Sequence, residues 1–193
     1  MSSVAETLKS WAGHEVVSDR RATKAIGIAF FVLATWFGAS VAVPLPWTQV
    51  PLTLQPLFVL LAGAVLGARA GAAAMATYLA LGAAGAPVFS FGGSGLPWLL
   101  GPTGGYLFAM PAAAWLVGTL AGRAPGTVRM LGALAVGMAA IYVGGVAQLL
   151  LLTRQDLGTV LAAGVLPFLA ADATKILAAL LLARSVRSTS LGR

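Results

Sequence analysis

The stretch AIGIAFFVLATWFGASVAV, from Ala25 to Val43, contains no charged side chain. At about 1.5 Å per residue, a helix of this length crosses the roughly 30 Å of hydrocarbon in a bilayer. Around it, the chain of 193 residues is 59% hydrophobic and only 9% charged. Soluble domains carry about a quarter charged residues, so this composition predicts an integral membrane protein with the lipid bilayer as its solvent.

Five further apolar segments follow the first one, and each is a candidate membrane helix. They cover residues 55–66, 72–86, 106–121, 131–152 and 160–183. The sequence therefore predicts an all-α integral membrane fold with six transmembrane helices within residues 24–185. A polar arm at 1–23 precedes this membrane domain, and a basic tail at 186–193 follows it.

Two uncharged segments rich in glycine and proline interrupt the helical pattern, at 44–56 and at 87–105. Four prolines in the thirteen residues of the first segment exclude a continuous helix, because each proline removes a backbone donor. The short helix after it either tilts across a thin region or leaves the proline segment at membrane depth. We favour the second arrangement, which requires that the irregular backbone be buried in protein or line a cavity.

The basic residues flank the apolar segments and do not form a tract. With the N-terminus inside, ten of the twelve lie in inner segments, whereas Arg154 lies outside and Lys175 lies within a helix. This distribution follows the positive-inside rule. We therefore expect both termini in the cytoplasm of a bacterium, with the chain in its cytoplasmic membrane. The net charge of +7 is then explained by membrane topology and does not indicate nucleic-acid binding.

Within the six predicted spans, Asp172 is the only acid and Lys175 the only base. They are three residues apart, so they share one face of the last helix. Ionisable groups at this depth are costly and usually mark a functional site, although a structural pair that neutralises itself is the alternative. A functional pair can attract a carboxylate through its ammonium group and accept N–H donors through its carboxylate.

Other candidate ligand contacts lie in or near the irregular segments. In GPTGGY, glycines at the start of a helix let backbone N–H groups approach an anion, although a simple turn into the helix is equally consistent. Aromatic and amide side chains near the predicted outer face either cover a pocket or, for tryptophan and tyrosine, belong to an interfacial belt. The candidate residues are Gln55, Trp98, Thr103, Gly104, Gly105, Tyr106 and Tyr142.

The sequence argues against an enzyme. It contains no GxxxxGK[ST] loop, so this chain has no ATP site of that type. A single histidine, the absence of cysteine and the absence of HExxH argue against a metal site. An aspartyl pair would require a second intramembrane acid. We therefore expect neither a cofactor nor a metal.

Four motifs occur in a specific order along the chain. They are VPLTLQPLFVLLAGAVLG (Val50–Gly67), GAAGAPVF (Gly82–Phe89), GPTGGYL (Gly101–Leu107) and DATK (Asp172–Lys175). In this order they resemble the BioY family, the biotin-capturing substrate (S) components of energy-coupling factor (ECF) transporters. The resemblance extends from about residue 25 to residue 185.

The resemblance implies a six-helix S-component fold in which Asp172 and Lys175 contact biotin in a pocket near the outer face. From their chemistry, we assign Lys175 to the ligand carboxylate and Asp172 to the ureido N–H groups. The resemblance also implies three partner subunits, a transmembrane coupling (T) subunit and two ATPases. Ala25 and Ala29 resemble the small-residue motif that meets the coupling subunit.

The expected function is therefore high-affinity biotin capture and uptake through an ECF-type transporter. The alternative is a self-sufficient secondary transporter for a small carboxylate-bearing solute.

Two departures from the family pattern affect the site. Pro56 follows Gln55, where a small polar residue is more usual, and no outer arginine provides a second positive contact. Lys175 then balances the carboxylate alone or with the amides of Gly104 and Gly105.

Overall fold

The structure is a computed structural model that describes residues 20–122 and 125–191. Most of the predicted N-terminal arm, including Lys9, lies outside the described residues. Arg123 and Arg193, both counted among the inner basic residues, also lie outside them.

The described chain is mainly α-helical, as the sequence predicts. Its α-helices are α1 (Arg20–Ser40), α2 (Gln55–Leu66), α3 (Ala68–Ala83), α4 (Gly95–Leu99), α5 (Gly104–Ala121), α6 (Thr127–Thr153), α7 (Leu157–Gly164) and α8 (Leu169–Leu191). Single 3-10 turns at Ser90–Gly92 and Leu166–Phe168, and the two-residue strands β1 (Ala42–Val43) and β2 (Leu52–Thr53), complete the architecture.

Four helical segments within the described ranges are long and apolar enough to cross a membrane. They are Arg21–Ser40, Gly104–Ala121, Thr127–Thr153 and Leu157–Val186. Large apolar side chains project outward from α1, where Ile26, Phe30 and Phe37 are each about 60% exposed. Such side chains are stable against lipid, so these surfaces support a multi-pass membrane protein.

Helix α5 is at the centre of the bundle and packs against α2, α3 and α6. Small residues allow this close packing. A side chain on Gly63 of α2 would collide with the backbone of Ala114, and one on Gly105 would collide with the backbone of Gly144. Close helix approach of this kind is a principal source of stability where lipid removes the hydrophobic drive for helix association.

The third helix begins at Ala68, whereas the sequence predicted a start at residue 72. Gly67 makes the turn alone, with a φ of 80° that favours glycine. Ala68, Arg69 and Ala70 then enter the helix at once because they are good helix formers. The fourth predicted helix, 106–121, corresponds closely to α5.

The last predicted helix, 160–183, is not continuous, and this part of the prediction is wrong. Helix α7 ends at Gly164, a 3-10 turn spans Leu166–Phe168, and α8 begins at Leu169. Pro167 explains the break, because it has no N–H to donate and disfavours the α conformation of the residue before it.

The proline-rich segment folds back as a short antiparallel ribbon in which β1 pairs with β2. Its prolines at 44, 46 and 51 lie between the strands, where no ladder hydrogen bond is required. The backbone N–H of Leu54 donates to the carbonyl of Gly38 (3.0 Å). The ribbon is thereby held between the end of α1 and the start of α2.

Candidate functional site

A largely apolar cavity of about 60 Å³ lies between the ribbon, the start of α2, and helices α5, α6 and α8. Its walls consist of Val50, Pro51, Leu52, Thr53, Gln55, Pro56, Ser90, Thr103, Tyr106, Leu107, Met110, Ile141, Tyr142, Phe168, Asp172 and Lys175. The proline-rich segment at 44–56 contributes six of these residues. Its irregular backbone therefore lines a cavity, as in the arrangement that we favoured from the sequence.

One end of the polar lining is a charged cluster formed by Tyr142, Asp172 and Lys175. The Lys175 ammonium is 2.5 Å from Oδ1 of Asp172, and the Tyr142 hydroxyl donates to Oδ2. Asp172 and Lys175 are only 5% and 6% exposed. Both carboxylate oxygens thus have donors, as a buried ion pair requires if it is not to destabilise the fold.

The break between α7 and α8 determines where this cluster lies. Because α8 begins at Leu169, Asp172 lies in its first turn, where the helix dipole favours a carboxylate. Lys175 follows one turn later on the same face. The sequence located the two residues correctly on one helix face, but it placed them in mid-helix and did not show that a helix begins beside them.

Tyr106 connects α5 to the same break. Its hydroxyl donates to the carbonyl of Gly164 (2.7 Å), a backbone acceptor at the end of α7. A side chain on Gly145 of α6 would collide with the Tyr106 ring, so glycine is required there for the ring to fit. Tyr106 therefore lines the cavity and also fixes the chain just before α8.

A second, uncharged group of polar side chains surrounds Gln55, and we call it the Gln55 network. Nε2 of Gln55 donates to the Tyr78 hydroxyl (2.8 Å), and this hydroxyl donates to the carbonyl of Val88 (2.6 Å). Oε1 of Gln55 accepts from the hydroxyls of Thr53 (3.2 Å) and Ser90 (3.5 Å). All four polar side chains are buried, so every hydrogen bond is made away from bulk solvent.

The structure brings most of the predicted site residues together around one cavity. They are Gln55, Thr103, Tyr106, Tyr142, Asp172 and Lys175. These residues come from four helices and one turn that are far apart in the sequence. The predicted grouping near a single pocket is therefore consistent with the fold.

Three predicted ligand contacts lie elsewhere. The N–H of Gly104 already donates to the carbonyl of Gly101 (3.0 Å), and both Gly104 and Gly105 lie so close to neighbouring backbone that a side chain would collide with it. Their glycine requirement therefore comes from packing. Trp98 packs against Gly93, and its buried indole N–H has no hydrogen-bond partner among the described residues.

The sequence did not single out Ser90, which lines the cavity, or the role of Tyr78 behind it. Ser90 is a lone polar side chain within the apolar run VFSF. That isolation is the one local signal that could have identified it. Tyr78 gives no such signal, because its partners Gln55 and Val88 are 23 and 10 residues away.

The family model described as the BioY family matches residues 9–191. The chain belongs to the BioY family. It is 39% identical over 163 residues to a probable biotin transporter BioY of Pyrococcus horikoshii, an alignment that covers 84% of this chain and 95% of the relative. It is 35% identical over 165 residues to the biotin transporter BioY of Thermotoga maritima, with 86% and 94% covered.

The fold of this BioY chain is similar to a crystal structure of the S-component for biotin from an ECF-type ABC transporter. The TM-score is 0.83 at 23% identity, over 89% of this chain and 94% of that one. At this identity the likeness shows a common fold. Membership of the BioY family places the chain among transporters and not among enzymes, as the sequence predicted.

Proposed function

We propose that this BioY chain captures biotin with high affinity at the outer side of the cytoplasmic membrane, as the substrate-specific component of an ECF-type transporter. The observation that carries the proposal is the Asp172–Lys175 pair, buried in the wall of an otherwise largely apolar cavity. Apolar pockets with few convergent polar groups are typical ligand sites. The BioY relatives named as biotin transporters indicate which ligand fits it.

In the proposed complex, Lys175 binds the biotin carboxylate and Asp172 accepts from the ureido N–H groups. Both side chains already have partners in this structure. Binding therefore exchanges hydrogen bonds. The Lys175 ammonium leaves Asp172 and binds the ligand carboxylate, and ligand N–H groups donate to Asp172 in its place. After this exchange Lys175 balances the ligand carboxylate, while Asp172 accepts hydrogen bonds from Tyr142 and from the ligand N–H groups, which stabilise its buried charge.

Biotin binding also requires the cavity to enlarge. Its volume of about 60 Å³ is below the roughly 300–1,000 Å³ of typical ligand pockets. The ribbon is held by few ladder hydrogen bonds, because each of its strands has only two residues. We propose that the ribbon moves outward to admit the ligand.

We propose further that the chain crosses the membrane six times, through α1, α2, α3, α5, α6 and the α7–α8 pair. The basic ends of the last helices support a common inner side. Arg129 at the start of α6 donates to the carbonyl of Leu120 near the end of α5 (2.7 Å). Arg184 near the end of α8 donates to Thr127 (2.8 Å).

The earlier helices reach the same end of the bundle. A side chain on Gly27 near the start of α1 would meet Leu66 at the end of α2, and one on Gly118 would meet Ala68 at the start of α3. Arg154 lies at the opposite end, after α6. The positive-inside rule then supports cytoplasmic termini and an outward-facing cavity.

A transmembrane coupling subunit and two ATPases are the proposed partners, because the similar structure is an S-component from an ECF-type ABC transporter and this sequence has no GxxxxGK[ST] loop. Ala25 and Ala29 are both exposed on α1, on a helix surface that is otherwise apolar. Small exposed residues let a partner helix approach closely. We propose that this surface meets the coupling subunit.

Calorimetric titration of biotin into the detergent-purified chain tests the proposal, with Lys175→Ala and the matched control Lys24→Ala alongside. Lys24 is exposed at the start of α1, so its loss should leave binding unchanged. Tight binding by the parent and the control, with loss in Lys175→Ala, would support both ligand and site. A folded parent that ignores biotin would overturn the assignment. Biotin uptake that persists without any ATPase subunit would instead support a secondary transporter.

A further inference from the structure

Tyr78 is completely buried behind the cavity wall and does not line the cavity. Its ring packs edge-on against Phe89, with 5.7 Å between ring centroids. Its hydroxyl lies between Val88 and Gln55. The hydroxyl therefore connects a wall residue, Gln55, to the backbone of the segment that carries Ser90.

The directions of these hydrogen bonds follow from which atoms can donate. The Val88 carbonyl can only accept, so the single hydroxyl proton of Tyr78 goes to it. The Tyr78 oxygen is then an acceptor towards Gln55. Gln55 must therefore turn its NH₂ group to Tyr78, which fixes an amide orientation that would otherwise be free to flip.

This orientation determines what Gln55 offers at the cavity. With Nε2 held by Tyr78, Oε1 is on the side of Thr53 and Ser90, which both line the cavity. The contact from Ser90 is long, at 3.5 Å, and is easily replaced. Oε1 is thus a buried carbonyl acceptor with capacity for a stronger donor.

The charged cluster does not offer an equally free acceptor. Oδ1 of Asp172 is engaged by Lys175 and Oδ2 by Tyr142. Among the lining side chains, Gln55 therefore provides an acceptor whose orientation is fixed but which is not committed to an ion pair. The ureido group of biotin carries two N–H groups, so one can donate to Asp172 and the other to Gln55.

We propose that Tyr78 is a positioning residue for ligand selection: it holds the Gln55 amide so that Oε1 accepts an N–H from the bound ligand. This inference rests on the proposed function, with biotin and its ureido group as the ligand. Sites built to accept a hydrogen bond discriminate strongly against isosteres that cannot donate one. Tyr78 sets this discrimination without touching the ligand.

The test compares biotin with its two cyclic carbamate analogues, in each of which one ureido N–H is replaced by oxygen. The parent chain should bind one of the analogues at least ~100-fold more weakly than biotin, because an oxygen would face Oε1 of Gln55. In Tyr78→Phe the amide can flip and present its NH₂ group to that oxygen. The biotin-to-analogue affinity ratio should then fall by about tenfold, the value of one hydrogen bond.

Two controls separate positioning from a structural role. Thr77→Ala removes a hydroxyl at the neighbouring exposed position and should leave the ratio unchanged. In a Gln55→Ala background, Tyr78→Phe should have no further effect on the ratio, because the group through which it acts is absent. If Tyr78→Phe weakens biotin and both analogues by the same factor, Tyr78 is only structural and the proposal is overturned.

Gln55→Met provides an independent measurement should Tyr78→Phe fail to fold. It removes the amide without leaving a buried polar group of its own unpaired, and the Tyr78 bond to Val88 remains. Loss of discrimination in Gln55→Met supports the proposal, whereas an unchanged ratio overturns it. The parent titration is read first. A parent that does not bind biotin overturns the proposed function, whereas a parent that binds all three ligands equally overturns only this inference.

Discussion

The charged cluster and the Gln55 network form two polar parts of the same cavity wall, but they are built differently. The charged cluster is made by α6 and α8, and the two residues of its ion pair are three positions apart on one helix. The Gln55 network collects side chains from β2, the start of α2, α3 and the turn at Ser90. One part is local and charged, whereas the other is long-range and neutral.

This difference separates two sources of ligand affinity. The charged cluster is an ion pair buried away from water, so removing either partner leaves an uncompensated charge and destabilises the site strongly. The Gln55 network makes hydrogen bonds that are each worth about 1 kcal/mol, and its contribution is orientation. We therefore expect the charged cluster to determine whether the ligand binds and the Gln55 network to determine which ligand binds.

The largest effect should come from the charged cluster. Lys175→Ala leaves Asp172 buried without its counter-ion, so we expect a loss of about 3–5 kcal/mol in unfolding free energy together with loss of biotin binding. The double variant Asp172→Asn/Lys175→Met removes both charges and should recover most of that stability but not the binding. Thermal unfolding in detergent and calorimetry measure the two quantities. A double variant that binds biotin normally would show that the pair is only structural.

The Gln55 network should give the next largest effect. Gln55→Ala removes the acceptor and leaves the Tyr78 hydroxyl without its donor, so we expect about tenfold weaker biotin binding. Because no charge is involved, affinity in this variant should keep the salt dependence of the parent. Titrations at low and high salt check this. A loss as large as that of Lys175→Ala would contradict the division between the two parts of the wall.

Tyr106→Phe should have a smaller effect, because it removes one hydrogen bond, to the Gly164 carbonyl, and keeps the ring. We expect a loss of about 1 kcal/mol in stability and faster hydrogen exchange at residues 165–169, where α8 begins. Hydrogen exchange measured by mass spectrometry shows which residues exchange faster, and Tyr142→Phe is measured for comparison. Exchange that accelerates equally throughout α5 and α6 would contradict a local role for Tyr106 at the break.

The smallest effect should come from the start of α7, away from both polar parts of the wall. Hydrogen bonds from the side chain and then the backbone N–H of Thr159 hold the pKa of Asp156 below its ordinary value of 3.8. The stabilisation by ionised Asp156 is therefore complete above that ordinary pKa and is lost as the pH falls through the lower folded-state pKa. In the parent, the thermal unfolding midpoint should fall as the pH drops through this range. In Asp156→Ala this contribution to the fall should be absent, and biotin affinity should be unchanged. A shift in affinity would connect α7 to the site.

Local patterns predicted the features that depend on neighbouring residues. The helix at 106–121 was predicted to within two residues of α5 because glycine and proline flank an apolar run. The pairing of Asp172 with Lys175 was recognisable because both lie on one helix face. Pro167 could have revealed the helix break, but the apolar residues on either side of it suggested one continuous span.

Long-range packing produced the features that the sequence did not reveal. Gln55 meets Tyr78 across 23 residues and Ser90 across 35, and no periodicity encodes such contacts. Gly104 and Gly105 show a second effect of long-range packing. Their spacing at a helix start suggested free backbone donors, whereas their requirement for glycine comes from α6 and Leu99 pressing against them.

The position of the ion pair within a single helix also has a consequence for how the protein is made. The translocation machinery receives the last segment after the earlier helices have emerged from the ribosome. A segment that carried a lone aspartate or a lone lysine would have to find its counter-ion on another helix already in the bilayer. Because Asp172 and Lys175 are adjacent on α8, the segment carries its own counter-ion, which lowers the cost of inserting charge into lipid.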